Sequence, residues 1–311
     1  MLVTFGASCE YYPLRKVLMY RPGIEITQVT KDSYQELTFR DVVYWRRFQQ
    51  EHDAFCNLLR GENVEIILLN DLLEEQDLPI IDPNMVYTRD TGAVTSKGYV
   101  QMRMGHQVRR PEPTLVARSL MKLGIPQLVS ITAPGLLEGG DFVFPDENTL
   151  MIGSNGIRTN EEGISQVTSA LLENNVVETV VYVPLPSWRV HLDGGLMFVD
   201  RDLFIYHPAS VETFPIRINR RNEPVEFYPL MDFIKEIYDA EGISISDNEL
   251  YLFGANVVCL DQRKVVIYEW NERIANELQE RNVEVLLIQG GELSRGGGGP
   301  HCMTLPILRK K

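Results

Sequence analysis

One structural unit recurs five times along this chain, with a period on the order of 50–60 residues. Each copy reads as a short apolar strand, a turn, a second strand, an amphipathic helix and a closing apolar strand. β-branched runs bounded by turn residues mark the strands, and apolar spacing of three and four marks the helices. The first unit runs from Lys16–Tyr20 through a helix at Arg46–Leu59 to a strand at Val64–Leu69. The second pairs Thr91–Thr95 with Gly98–Met102, then has helix Glu112–Leu123 and strand Gln127–Ile131. The third pairs Phe142–Phe144 with Thr149–Ile152, then has helix Glu161–Glu173 and strand Val177–Val183. The fourth pairs Gly195–Val199 with Leu203–Tyr206 and has a helix near Met231–Ala240, with Pro208–Pro229 inserted between them. The fifth pairs Asn256–Leu260 with Lys264–Tyr268, then has helix Asn271–Arg281 and strand Val283–Ile288. Five copies of a ββαβ-like unit point to a closed ring, which disposes of sheet edges and leaves a pit on its axis. A doubly wound parallel sheet would alternate single strands with helices and carry a glycine fingerprint after its first strand, and neither is present. No Ser/Pro/Gly-rich linker divides the 311 residues, so one domain over 1–311 is expected.

Chemistry-bearing residues sit at matching points of the units. Tyr87-Thr88-Arg89-Asp90 precedes the second hairpin, Glu138-Gly139-Gly140-Asp141 the third, and His191-Leu192-Asp193-Gly194-Gly195 the fourth. After the fifth unit comes Ser294-Arg295, four glycines, then Pro300-His301-Cys302-Met303-Thr304. A glycine run has no packing value of its own and a high ordering cost, so it reads as a mobile loop that lets a ligand approach the backbone. Met303–Ile307 returns to apolar character and reads as a closing strand. A phosphate-binding loop is excluded, because no Lys-Ser/Thr pair follows the glycines.

The net charge of −13 argues against nucleic acid and anionic membranes as partners and is compatible with a cationic substrate. No apolar stretch is long enough to span a bilayer, and Met1–Phe5 does not begin a signal peptide. The four cysteines (Cys9, Cys56, Cys259, Cys302) form no CxxC pair, which fits a reducing compartment and a cytoplasmic protein.

In a ring the marked segments converge on one pit holding Asp90, Glu138, His191, Asp193 and Cys302. Cysteine and histidine together suit nucleophilic catalysis. The carboxylates are badly suited to a developing oxyanion, which needs donors. They are well suited to a planar guanidinium, whose paired N–H groups match carboxylate oxygens. Asp90 and Asp193 would hold that cation while the Cys302 thiolate adds to its central carbon. His191 would move protons, and Glu138 would orient it. A metal held by His191, Asp193 and Glu138 is the weaker alternative, since only one histidine is available.

These residues resemble the guanidine-modifying enzymes, arginine deiminases most closely. The matching segments are Asn84–Asp90, Glu138–Asp141, His191–Asp193 and Gly296–Thr304, in the family's order. The resemblance implies a five-bladed α/β propeller of pseudo-symmetric ββαβ units and a cysteine hydrolase without cofactor or metal. It implies Cys302 as nucleophile, with His191, Glu138, Asp90 and Asp193 in the roles above, and a thiouronium-type intermediate. It also implies Asn84, Tyr87, Arg109 and Arg158 on the substrate's tail, with Arg295 as a gate. The chain departs from the family in four places, one of them a slightly longer Cys302 loop with Pro300 before His301. The extra helical domain after the first unit is missing between Asp71 and Pro83. Tyr87 replaces a common Phe, and Gly194-Gly195 follows the His-Leu-Asp motif. The expected reaction converts arginine to citrulline and ammonia. Amidino transfer to an amine, hydrolysis of another guanidino or isosteric planar substrate, a silent arginine-binding regulator and a cysteine acyl hydrolase are the rivals. A small cationic guanidino substrate is the expected partner, and nothing in the composition excludes a homo-oligomer.

Overall fold

The computed structural model describes residues 3–310. Its strands gather into five sheets. Blade one holds β1 (Leu14–Met19) parallel to β2 (Glu65–Leu68), with a third strand supplied from the far end of the chain. Blade two holds the hairpin of β3 (Gly92–Thr95) and β4 (Gly98–Gln101), with β5 (Gln127–Ser130) parallel to β4. Blade three repeats this with β6 (Phe142–Val143), β7 (Thr149–Ser154) and β8 (Thr179–Pro184). In blade four β9 (Leu196–Asp200) pairs with β10 (Leu203–Tyr206). The inserted stretch contributes β11 (Ile216–Arg220), which pairs with β8, and β12 (Glu226–Tyr228), which pairs with β11. They therefore lengthen blade three at the edge opposite β6, away from the site segments. Blade four is completed by β13 (Glu241–Ser244), a strand its polar sequence does not announce. Blade five holds β14 (Val258–Asp261), β15 (Lys264–Tyr268) and β16 (Glu284–Ile288). Finally β17 (Leu305–Arg309) pairs antiparallel with β1 and closes the ring.

Each parallel crossover runs through one long helix: Trp45–Gly61, Glu112–Lys122, Glu161–Glu173, Leu230–Tyr238 and Glu272–Glu280. Four of them end in the same device. Asn63, Gly124, Asn175 and Asn282 adopt positive φ, and the next residue's N–H reaches back to a leucine carbonyl. These bonds are Val64 to Leu59 (3.0 Å), Ile125 to Leu120 (3.1 Å), Val176 to Leu171 (2.9 Å) and Val283 to Leu278 (3.0 Å). Asn and Gly tolerate the left-handed conformation that stops a helix, and the apolar residue after them caps its last turn and starts the next strand.

The core lies between blades. Leu18, Leu305 and Ile307 pack with Val94 and Tyr99, and Val100 packs with Phe142 and Ile152. Met151 and Val181 share a cluster with Phe198 and Phe204, which continues to Cys259 and Val265. Val258, Val266 and Tyr268 then pack on Val17, Met19 and Phe48, so the fifth blade meets the first. Each such fully buried side chain contributes about 1.5–3 kcal/mol.

Candidate active site

Every blade places a polar residue a few positions ahead of the first strand of its hairpin. Asp90 precedes β3, Glu138 precedes β6, and His191 and Asp193 precede β9. Asn256 precedes β14, and Cys302 precedes β17. The turn at Gly139–Asp141 packs against those at Thr88–Thr91 and Leu192–Gly194, which brings the side chains together.

His191 Nε2 lies 2.7 Å from Glu138 Oε2, and its Nδ1 lies 3.5 Å from Asp90 Oδ1. Glu138 is fully buried and also accepts from Gly105 N at 2.8 Å and from Arg158 Nε at 2.9 Å. Burial opposes the charge on Glu138, but Arg158 and His191 outweigh it and hold the carboxyl well below the usual range. Burial likewise opposes a charged His191. The Asp90 carboxylate, the Glu138 hydrogen bond and Asp141 overcome it and hold the imidazole at about 9. His191 is thus a cation at neutral pH, ready to donate. Asp141 is itself pushed up to about 7 by burial, and its Oδ1 accepts from Leu192 N at 2.9 Å, fixing the segment that carries His191.

Cys302 Sγ lies 3.4 Å from Asn256 Oδ1 and 3.7 Å from Asp193 Oδ2. Asn256 Oδ1 also accepts from Cys302 N at 3.3 Å. Burial, then Asp193 and Asp90, push the thiol well above its ordinary range. Without a cation in the pit the sulfur is protonated. Iodoacetamide is therefore expected to alkylate Cys302 slowly at neutral pH, at a rate still climbing at pH 9. A fast, pH-independent reaction at pH 7, read by peptide mass, would show a preformed thiolate instead.

Three members of the site lay outside the sequence-derived set: Asn256, His301 and Glu10. His301 Nδ1 lies 2.8 Å from Asp193 Oδ2, and its Nε2 lies 3.2 Å from Glu10 Oε2. Glu10 is held ionised, at about 2, because Arg89 and His301 outweigh its burial. This buried chain fixes Asp193 from behind. Asn256 stood at the position in unit five that Asp90 holds in unit two, so the repeat itself pointed to it. Glu10 belongs to no repeat.

The residues expected to bind the substrate's tail are placed differently from Asp90 and Asp193, the pair expected to hold its guanidinium. Arg109 Nη1 lies 2.6 Å from Asp90 Oδ2, its Nε and Nη2 lie 2.7 and 2.8 Å from the Glu112 carboxylate, and Nη2 also reaches Tyr87 O. Arg158 is bonded to Glu138. Asn84 holds the Thr30–Tyr44 loop, donating to Leu37 O and accepting from Thr38 Oγ1, both at 2.9 Å. Arg295 is exposed beside that loop and donates to Val42 O at 3.2 Å. Tyr87 donates to Leu293 O at 3.0 Å, which gives its hydroxyl a use that Phe lacks.

The glycine run is packed, contrary to its reading as a mobile loop. A Cβ on Gly296 would stand 2.0 Å from Tyr87 Oη, and one on Gly298 2.3 Å from the Tyr87 ring. A Cβ on Gly299 would stand 2.4 Å from Asn256 Oδ1. The glycines let the loop lie directly on Tyr87 and Asn256 and cover Cys302, which is 9 % exposed. Gly140 meets the same demand, since a Cβ there would stand 2.6 Å from His191 Nδ1.

One group of potential metal ligands, Asp90, Glu138 and His191, lies within 4.8 Å. Asp193, named in the sequence-based metal alternative, is not in it. The guanidinium groups of Arg109 and Arg158 already neutralise its two carboxylates.

The sequence profile of arginine deiminase matches residues 35–77 and 80–309, nearly the whole chain. The chain belongs to the arginine deiminase family. The arginine deiminase of Listeria monocytogenes is 25% identical, with 97% of each chain covered. That of Rhodococcus opacus is 27% identical, with 98% of this chain and 97% of the relative covered. Those alignments run over 399 and 401 positions against 311 residues here, so the relatives carry stretches that this chain lacks. Only short turns, at Leu69–Asp71, Glu75–Ile80 and Pro83–Val86, join β2 to the Asp90 segment. Among solved structures, the dimethylarginine dimethylaminohydrolase of Pseudomonas aeruginosa, complexed with citrulline, superposes with a TM-score of 0.71. It is 20% identical, with 94% of this chain and 99% of that one covered. The N-terminal domain of ArgZ, a cyanobacterial arginine dihydrolase, superposes with a TM-score of 0.73 at 18% identity, with 93% and 97% covered. The fold is a five-bladed α/β propeller, shared with these structures. Membership makes this arginine deiminase relative a hydrolase of guanidino carbon–nitrogen bonds. Among the described residues, no helix is long and apolar enough to cross a membrane.

Proposed function

We propose that the protein hydrolyses free arginine to citrulline and ammonia through a covalent intermediate on Cys302. The observation that carries this reading is the seat of the thiol, 3.7 Å from the Asp193 carboxylate and within the field of Asp90. Anions beside a nucleophile repel an oxyanion, which counts against acyl transfer. They favour a substrate that brings its own positive charge. Asp90 Oδ1 is buried without a hydrogen-bond partner, an acceptor left open toward such a cation.

Binding of the guanidinium lowers the cost of ionising Cys302, because the cation offsets the carboxylates, and the thiol proton is released to solvent. The sulfur then bonds to the guanidino carbon. Glu138 engages His191 Nε2, so Nδ1 carries the mobile proton. It passes to the departing nitrogen, which leaves as ammonia and leaves a thiouronium on Cys302. Neutral His191 next takes a proton from water as the water oxygen bonds to the same carbon. The carbon–sulfur bond breaks and the proton left on the added oxygen passes to the sulfur, releasing the ureido product and restoring the thiol. Asp90 and Asp193 hold the planar group in line with the sulfur throughout, and orientation of this kind supplies much of an enzyme's acceleration.

All four cysteines are free and buried, which supports a reducing cytoplasmic setting. In this reading residues 1–311 work as a single catalytic domain. The test is mass-spectrometric product analysis of purified protein with arginine, alone and with glycine added. Citrulline and ammonia in both reactions are the expected products. Ornithine with amidinated glycine would replace hydrolysis by amidino transfer, and no turnover of arginine would overturn the choice of substrate.

A further inference from the structure

The loop that covers Cys302 has little of its own to hold it in place. Gly296–Gly299 carry no side chains, and glycine costs more backbone entropy to order than any other residue. The grip comes from neighbours. Tyr268 donates to Gly298 O at 3.0 Å, Arg40 N donates to Arg295 O at 2.7 Å, and Tyr87 donates to Leu293 O. A further grip reaches Leu293 from the helix Trp45–Gly61 of blade one, through Glu51.

Glu51 is 5 % exposed, and a glutamate is rarely buried so far without partners. Its Oε2 accepts from Glu292 N at 2.8 Å and from Leu293 N at 3.1 Å, and its Oε1 accepts from Arg47 Nε at 3.2 Å. The two N–H groups open the short turn Leu293–Gly296, and the first N–H groups of a helical turn find no partner within it. The arrangement is reciprocal. Glu292 Oε2 accepts from Tyr44 N at 2.8 Å, at the residue that precedes the helix carrying Glu51. Neither segment is capped by the side chain of its own leading residue. Two carboxylates 241 residues apart thus each supply the acceptor that the other's segment lacks. Both sets of bonds are charge-assisted, which makes them stronger than bonds between neutral groups.

We infer that Glu51 is a positioning residue for Cys302, because its clasp with Glu292 keeps the glycine cover closed over the thiol. Leu293 is fully buried, with its N–H on Glu51 and its carbonyl on Tyr87. Slack at Leu293 therefore passes to Gly296 and Gly298, which lie against Tyr87. Glu51 touches no reacting atom. Asp90, Glu138, His191 and Asp193 keep their places without it, since they are held by Arg109, Arg158, one another and His301. The inference rests on the reading of Cys302 as the nucleophile and names what holds the cover of that same site.

The test compares native, Glu51→Ala, Glu51→Gln, Glu292→Ala and Arg47→Ala proteins by two readouts. One is the rate at which iodoacetamide alkylates Cys302, read by peptide mass. The other is steady-state kinetics with arginine. Glu51→Ala is expected to speed alkylation about tenfold or more and to raise KM by about tenfold, because apparent affinity falls with the fraction of molecules in the closed form. The same variant keeps kcat within about threefold, since the bound complex is the closed one. Glu51→Gln restores both readouts to within about threefold of native, because its amide oxygen still accepts from both N–H groups. Glu292→Ala loosens the clasp from the other side, moves both readouts in the same direction, and decides the matter if Glu51→Ala does not fold. Arg47→Ala, which removes only the partner on the solvent side of Glu51, leaves both within about twofold. Unmoved alkylation in Glu51→Ala and Glu292→Ala overturns the clasp. So does a fall in kcat at constant KM, a failure of Glu51→Gln to restore either readout, or a full effect from Arg47→Ala. If the native enzyme does not turn over arginine, the proposed substrate fails, and the alkylation rates still decide the clasp. Unmoved alkylation beside intact turnover overturns the clasp and leaves the proposed function standing.

Discussion

Cys302→Ala is expected to bring arginine turnover below about 10⁻⁴ of the native rate, as removal of an enzymatic nucleophile does, while arginine still binds. The thiol forms the protein's covalent bond to substrate in the proposed cycle, and no other cysteine substitutes for it: Cys9, Cys56 and Cys259 are buried, with their thiols pushed upward by burial. Binding survives because Asp90 and Asp193 are held by Arg109 and His301, neither of which depends on the sulfur. Isothermal titration of the variant with arginine, beside a citrulline assay, separates the two effects. Residual activity of a tenth or more would remove the covalent step.

The second large effect is expected at Glu138. Glu138→Gln keeps the shape but removes the carboxylate bonded to Arg158, leaving that guanidinium and the His191 imidazolium in a buried site. Breaking a buried ion pair from one side costs about 3–5 kcal/mol, measurable by denaturant unfolding. The catalytic consequence follows from the sign of the His191 shift. Its protonated form is the proton donor, so kcat/KM of the native enzyme falls as pH rises through about 9. Without the Glu138 charge the imidazolium is less stable, and the alkaline limb moves down toward an ordinary histidine value of about 6.5. A limb that stays in place would separate Glu138 from the ionisation of His191.

Much of the ring is legible before any coordinates, because its elements are local. Alternating apolar residues and the turns at Ser96-Lys97, Asp200–Asp202 and Asp261–Arg263 mark hairpins by themselves. The helix ends carry a readable sign as well, a leucine followed four residues later by Asn or Gly and then Val or Ile. The third strand of blade one is harder to place. Leu305–Arg309 reads as a strand, but nothing within it says that its partner is Leu14–Met19. The same limit applies to the site. Asp90, Glu138, His191, Asp193 and Cys302 are marked by their place in the repeat. Glu10 and His301 stand 291 residues apart in sequence, so their pairing exists only in three dimensions. The pairing of Arg109 with Asp90 is hidden for a related reason: spacing shows that an arginine is near a site, not which of its neighbours it binds.

Placing the proposed nucleophile, Cys302, three residues ahead of β17 has a consequence for the life history of the molecule. β17 docks on β1 across almost the full length of the chain, and contacts of such separation are slow to form. Asp90, Glu138 and His191 come from blades built of local neighbours, whereas the sulfur arrives with the strand that latches the two ends together. Chemical competence is therefore conferred last. A molecule still being assembled, or one whose latch has come undone, lacks the means to form a bond to substrate that it could not go on to release.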